Sequence, residues 1–221
     1  MPELPERAPE GAERWVIAIF TAGFAGMMGV SLFEDYEPRK LGVVFVLLFW
    51  MPLLVIHEAG HAIVARLCGW EVERVVIGYG RTRRTWVIGG VPVLFKTLPL
   101  SGYVLPRPRD LQSPQLKNAL IYAGGPAFEL AAALLVLAVS GPEVLFQPSI
   151  DVPVIAAQSF CLAAALGLVF TLVPHTVSTE RGESWSDGMG ILMSWRIPES
   201  DFARWIRDSK EEPDEPPETP S

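Results

Sequence analysis

Two cysteines (Cys68 and Cys161) and three histidines are a thin supply of soft metal ligands for 221 residues. Two thiols exclude both a disulfide-stapled scaffold and a four-thiolate zinc site. Charge is scarce as well. Asp, Glu, Lys and Arg make up 19% of the chain, where an ordinary soluble domain carries about a quarter. Basic residues number 18 against 25 acidic ones, and a net charge of −7 offers no electrostatic footprint for nucleic acid. Most of the acidic excess is local: residues 197–221 hold eight acids against Arg204, Arg207 and Lys210, on a Pro-rich stretch. What remains is apolar. Hydrophobic residues reach 50% and the mean hydropathy is +0.30, a balance that leans towards lipid.

The apolar residues are gathered into four runs, at residues 15–33, 41–68, 119–139 and 154–173. Each approaches the roughly 20 residues that a helix needs to cross a bilayer. The first is too long for a signal-peptide core and no small-x-small cleavage site follows it, so it reads as a retained helix. Loop 67–118 carries Arg74, Arg81, Arg83, Arg84, Lys96, Arg107, Arg109 and Lys117, whereas loop 140–153 carries no basic residue. The positive-inside rule therefore places the basic loop, and with four spans both termini, in the cytoplasm. The fold class expected is an α-helical polytopic membrane protein with about four transmembrane helices, lodged in the cell membrane.

Within the basic loop, residues 71–79, 85–88 and 91–97 are rich in Val, Ile and aromatic side chains, punctuated by Gly80 and by Gly89-Gly90. They predict a small β-hairpin or meander. Three regions follow: 1–40, an N-terminal segment with an extra span; 41–196, the core; and 197–221, an acidic disordered tail.

Inside the second run stands His57-Glu58-Ala59-Gly60-His61. On a helix, positions i and i+4 lie one above the other, so both imidazoles point the same way and can share one metal ion. Zn²⁺ suits two imidazoles with an open position for water, and Glu58 lies beside them as a proton acceptor. Chance rarely writes HExxH into a chain with three histidines, and the membrane sharpens the signal. A charged group within a span costs about 3 kcal/mol or more unless it faces a cavity or a partner. A polar cluster that merely glues helices would need only one Asn or Ser.

Two histidines leave one protein ligand to find. Glu129, in the third run just after Gly124-Gly125-Pro126, and Asp187, in Ser186-Asp187-Gly188, both qualify. Counting from Leu41, His57 sits about 24 Å along its helix at 1.5 Å per residue, towards the cytoplasmic face of a core about 30 Å thick. Both carboxylates reach that depth, so depth leaves the choice open. His175 reads as a loop histidine.

The motifs resemble those of the site-2 protease family of intramembrane zinc metalloproteases. His-Glu-Ala-Gly-His is similar to that family's first motif, and Pro99-Leu100-Ser101-Gly102-Tyr103-Val104 to its Pro-Leu-Gly-Gly-Tyr-Val signature. Ala123-Gly124-Gly125-Pro126 resembles its Ala-Gly-Pro motif. Leu172-Val173-Pro174 with Ser186-Asp187-Gly188 resembles its Asn-x-x-Pro…Asp-Gly motif. The likeness covers roughly residues 41–195. It implies a three-helix catalytic core, one Zn²⁺ held by His57, His61 and Asp187, and Glu58 as the catalytic base. It also implies a single-pass membrane-protein substrate, guided in extended form by the β-segment. Where the family commonly has Asn, this chain has Glu129 and Thr171; with Gly125 and Pro126 they are the substrate-positioning candidates. The function expected is hydrolysis of a peptide bond in or near a transmembrane segment. The rival readings are another membrane zinc hydrolase with Glu129 as third ligand, and a non-catalytic membrane protein with a vestigial zinc site.

Overall fold

The computed structural model of the chain describes residues 36–179 and 182–211, together with Gly26, Gly29, Val30 and Glu34. The span expected at 15–33 lies outside them apart from three isolated positions. A short 3₁₀ turn, Pro38–Lys40, leads into helix α1 (Leu41–Leu67). Strands β1 (Glu71–Ile88) and β2 (Val91–Arg107) follow, then α2 (Pro114–Ser140) and α3 (Val152–Leu172). A small hairpin, β3 (Thr176–Thr179) with β4 (Gly182–Trp185), precedes α4 (Asp187–Ser194) and α5 (Glu199–Glu211).

Among the described residues three helices are long and apolar enough to cross a membrane: Pro38–Leu67, Pro114–Ser140 and Val152–Leu172. The count of four therefore stands at three in the described residues. α2 begins at Pro114, earlier than its apolar run suggests, because proline is preorganised for the first helical position. Its first turns are polar and stay helical all the same.

Helices in lipid associate by close packing, so small residues decide where they touch. A Cβ on Gly60 would lie 2.9 Å from both the Gly124 carbonyl carbon and Phe128 Cβ, so α1 and α2 meet backbone to backbone there. α3 joins on an alanine face: Ala163 and Ala164 pack with Leu53 of α1 and Ala133 of α2. α2 holds α4 through a buried polar link, in which Asn118 Nδ2 donates to Ser194 Oγ at 2.9 Å and that hydroxyl donates to the Gly190 carbonyl at 2.6 Å.

The loop forms two long antiparallel strands instead of three short ones. Gly78 and Gly80, at φ 100° and 91°, lie among register shifts within β1, and the chain runs on through Gly80, where the sequence suggests a strand end, as expected of bulges. Gly89-Gly90, at φ 57° and 82°, make the tight turn. The ribbon folds on itself, so Val75, Val76 and Ile77 pair with residues 102–104 and also with residues 93–95. Of these, Val75 and Ile77 join Trp70, Ala65 and Ile121 in a core that seats the sheet against α1 and α2.

The tail corrects an expectation. Residues 199–211, read from sequence as disordered, form α5, whose Phe202 is fully buried in the same core and stacks edge-on against Trp70 at 6.1 Å. Phe202, Trp205 and Ile206 are spaced i, i+3, i+4, a stripe hidden by the surrounding charge. Residues 212–221 lie outside the described residues.

The Gly60–Gly124 approach yields the first expected outcome. Gly60→Leu should force α1 and α2 apart and destabilise the detergent-purified protein by ~3 kcal/mol, a typical overpacking cost. A melting temperature equal to that of the native chain would contradict the packing described.

Candidate metal centre

His57, Glu58 and His61 are buried in the C-terminal half of α1. Asp187, the first residue of α4, comes to the same point from 126 residues further along the chain. Its carboxylate bridges the imidazoles: Oδ2 lies 3.0 Å from His57 Nε2, and Oδ1 lies 3.3 Å from His61 Nε2. The two Nε2 atoms are 3.1 Å apart.

Several features deliver Asp187 to that place. Ser186 caps α4 by accepting from Met189 N, accepts from His175 N at 3.0 Å and donates to the Val173 carbonyl at 2.9 Å. The serine thus ties the start of α4 to the end of α3. Gly188 completes the approach, because a Cβ there would run into the Leu172 carbonyl. The sequence reading passed over Ser186, although a serine just before an acidic helix start is a recognisable N-cap.

Nδ1 of each histidine is engaged on the far side of its ring. His61 Nδ1 donates to the Ile121 carbonyl at 2.7 Å. The backbone N of Gly125, one turn further along α2, also lies 3.3 Å from that Nδ1. His57 Nδ1 lies 3.1 Å from Glu129 Oε2. These contacts leave the Nε2 lone pairs directed at Asp187.

The donor set fits zinc. Ligand bonds of 2.0–2.1 Å around a tetrahedral ion put neighbouring donors about 3.3 Å apart, close to the separations seen here. Gly125 keeps the space between the rings open, since a Cβ there would sit 2.6 Å from His57 Nε2 and closer still to His61 Nε2. Glu58 adds a buried carboxylate oxygen, Oε2, that has no hydrogen-bond partner. A cation bound there would offset three carboxylates gathered with two imidazoles in a hydrophobic bundle.

A cavity of about 280 Å³ opens beside the centre. Trp50, Leu53 and Phe170 give it an apolar wall, and Tyr122, Thr171, His175 and residues 101–104 of β2 supply polar atoms. Of the positioning candidates, Gly125 stands against the imidazoles, Pro126 is buried in α2 and Glu129 reaches His57. Thr171 lines the cavity, its hydroxyl 3.5 Å from the Leu168 carbonyl.

With this geometry in view, comparison with known proteins decides the family. Residues 44–195 match the profile of peptidase family M50. The chain belongs to peptidase family M50. Relatives include a "Putative zinc metalloprotease" of Neisseria meningitidis, 35% identical over 114 residues that make up 45% of this chain and 25% of that protein. One of the same name from Helicobacter pylori is 32% identical over 112 residues, 42% of this chain and 32% of that protein. The Regulator of sigma-E protease RseP of Escherichia coli is 36% identical over 111 residues, 42% of this chain and 24% of its own. The matches thus span a quarter to a third of these relatives' length. This M50 chain is an integral membrane protein, and zinc is the metal that both its relatives' names and its donor set indicate.

Metal content of the purified protein checks the ligand set. Wild type should hold one zinc per chain by mass spectrometry, with His57→Ala and Asp187→Asn each losing at least about 90% of it. Full occupancy in Asp187→Asn would remove Asp187 from the centre.

Proposed function

We propose that this chain is the catalytic core of an intramembrane zinc metalloprotease that hydrolyses a peptide bond in or near the transmembrane segment of a single-pass substrate. The observation that carries this reading is the Glu58 carboxylate, buried and unpartnered at Oε2, beside three converging metal donors and on the wall of a cavity. Structural metal sites have four protein ligands, whereas three ligands and an adjacent base are the mark of a hydrolytic one.

His57, His61 and Asp187 hold the ion. When bound, Zn²⁺ supplies Lewis acidity, which polarises the scissile carbonyl and lets water give up a proton near neutral pH. Glu58 takes that proton on Oε2 and returns it to the departing amine, so the carboxylate ends as it began. The new C–O bond forms first, the scissile C–N bond breaks once its nitrogen has taken the proton from Glu58, and no redox partner is involved.

A substrate helix hides its carbonyls in its own hydrogen bonds and must unwind locally before attack. Gly, Pro or polar residues in the target span therefore favour cleavage. β2 offers the place to receive the unwound stretch. Residues 102–104 pair with β1 on one side and line the cavity on the other. Strand addition there satisfies the freed backbone groups. Gly102 keeps this wall thin, because a Cβ would lie 2.6–2.8 Å from Glu58 Oε1, Cγ and Cδ. The substrate backbone can then pass close to the base.

Residues 41–196 form this core, and the further span expected from the sequence of residues 1–40 lies outside the described residues. The eight basic residues of loop 67–118 set the orientation, with both termini on the cytoplasmic side of the cell membrane. A thiol-reactive probe on a cysteine placed at Ser221 should label only after the inner face is exposed. Labelling of intact cells would reverse the orientation.

Glu58→Gln separates chemistry from metal binding. The variant should keep full zinc occupancy and cleave a reporter with a Gly- and Pro-containing span at least about 100-fold more slowly, the scale of a lost general base. Undiminished cleavage by a zinc-loaded Glu58→Gln protein would defeat the mechanism.

A further inference from the structure

Glu129 is an acid in the interior of a membrane-spanning helix, 4% exposed, and nothing in the proteolytic step as written uses it. Its Oε2 lies 3.1 Å from Nδ1 of His57, on the opposite side of the ring from the Nε2 that faces Asp187. Among the described residues, the donor atoms that converge come from His57, His61 and Asp187, and Glu129 is not one of them. The two histidines are therefore supported differently. A main-chain carbonyl of α2 accepts from His61, and a side-chain carboxylate of the same helix faces His57.

The third helix prepares the place for this carboxylate. Gly167 of α3 faces it, and a Cβ on Gly167 would lie 3.1 Å from Glu129 Cδ, 3.3 Å from Oε2 and nearer still to Oε1. α3 supplies no metal donor, yet it leaves room where Glu129 needs it. Two helices thus shape a place for a group that borders the cavity yet is not among the converging metal donors.

We propose that Glu129 is a positioning residue for the metal centre: its carboxylate accepts the Nδ1–H of His57, fixing the tautomer and ring orientation that present Nε2 to the ion. A carboxylate behind an imidazole also makes the ring a stronger donor, and loss of such a partner typically weakens metal affinity about 10–100-fold. The inference rests on the assignment of His57 as a ligand and goes beyond it. It gives Glu129 a role distinct from a third ligand and from a substrate contact, and it makes Gly167 part of the centre.

The test is the zinc dissociation constant of the detergent-purified full chain, measured by competition with a chelator, for Glu129→Gln, Glu129→Ala, Gly167→Ala and His57→Ala. Glu129→Ala should bind zinc 10–100-fold more weakly than wild type, with an unchanged melting temperature of the metal-free protein. Glu129→Gln keeps an oxygen acceptor and should recover most of that loss. Gly167→Ala displaces the carboxylate and should weaken zinc binding in the same direction, with no further loss when combined with Glu129→Ala. Wild-type affinity in Glu129→Ala overturns the proposal. So does loss of zinc in Glu129→Gln as complete as in His57→Ala, since that would make Glu129 a ligand. Because the readout is metal affinity, it stands apart from proteolysis: Glu129→Ala can behave as expected even in a protein that cleaves nothing.

Discussion

The fold turns on one electrostatic problem. Two imidazole nitrogens and a carboxylate are held within 3.0–3.3 Å of one another inside an apolar helix bundle, with Glu58 and Glu129 close by. Gathering such groups inside a membrane-spanning bundle is costly unless their charge is offset, and a metal ion between them would offset it. Much of the surrounding structure serves that convergence. Gly60 and Gly124 let α1 and α2 come into backbone contact, which brings Ile121 and Glu129 within reach of the two rings. Gly125 keeps the ion's place free, and Gly188 with Ser186 brings Asp187 across from the end of α3. The Asn118–Ser194 link then fixes the short helix that carries it.

The proposed proteolysis has to be reconciled with the bilayer. Peptide hydrolysis needs water and an exposed carbonyl, and hydrocarbon provides neither. The cavity beside Glu58 combines an apolar wall with polar groups from Tyr122, Thr171 and His175. Residues 102–104 in strand β2 of the sheet form part of its lining, so an element suited to hold an extended backbone lies next to Glu58. Trp70, Ala65, Ile121 and Phe202 lock that sheet to α1 and α2, which keeps residues 102–104 in register with the centre.

Legibility in the sequence followed the range of the contacts. His57 and His61 are one helical turn apart, so local geometry alone announces a shared metal. Asp187 is 126 residues away from His61, and spacing could not choose between it and Glu129; only the resemblance did. Glu129 was conspicuous as an intramembrane acid, but its reach to Nδ1 depends on how α2 rotates against α1, a property of packing. The ribbon was recognised by its β-branched residues and its Gly-Gly turn. The irregularity at Gly80 reads as a strand end because a glycine interrupts the pattern equally at a bulge and at a turn. α5 was missed because its charge outweighs a three-residue stripe that only the Trp70 pocket makes visible.

The measurement that bears most directly on the centre is zinc-edge X-ray absorption on the purified protein. The account predicts a four-coordinate ion with two imidazole nitrogens and oxygen donors at about 2.0–2.1 Å, and no sulfur. A sulfur scatterer near 2.3 Å, or a first shell with fewer than two imidazoles, would contradict it.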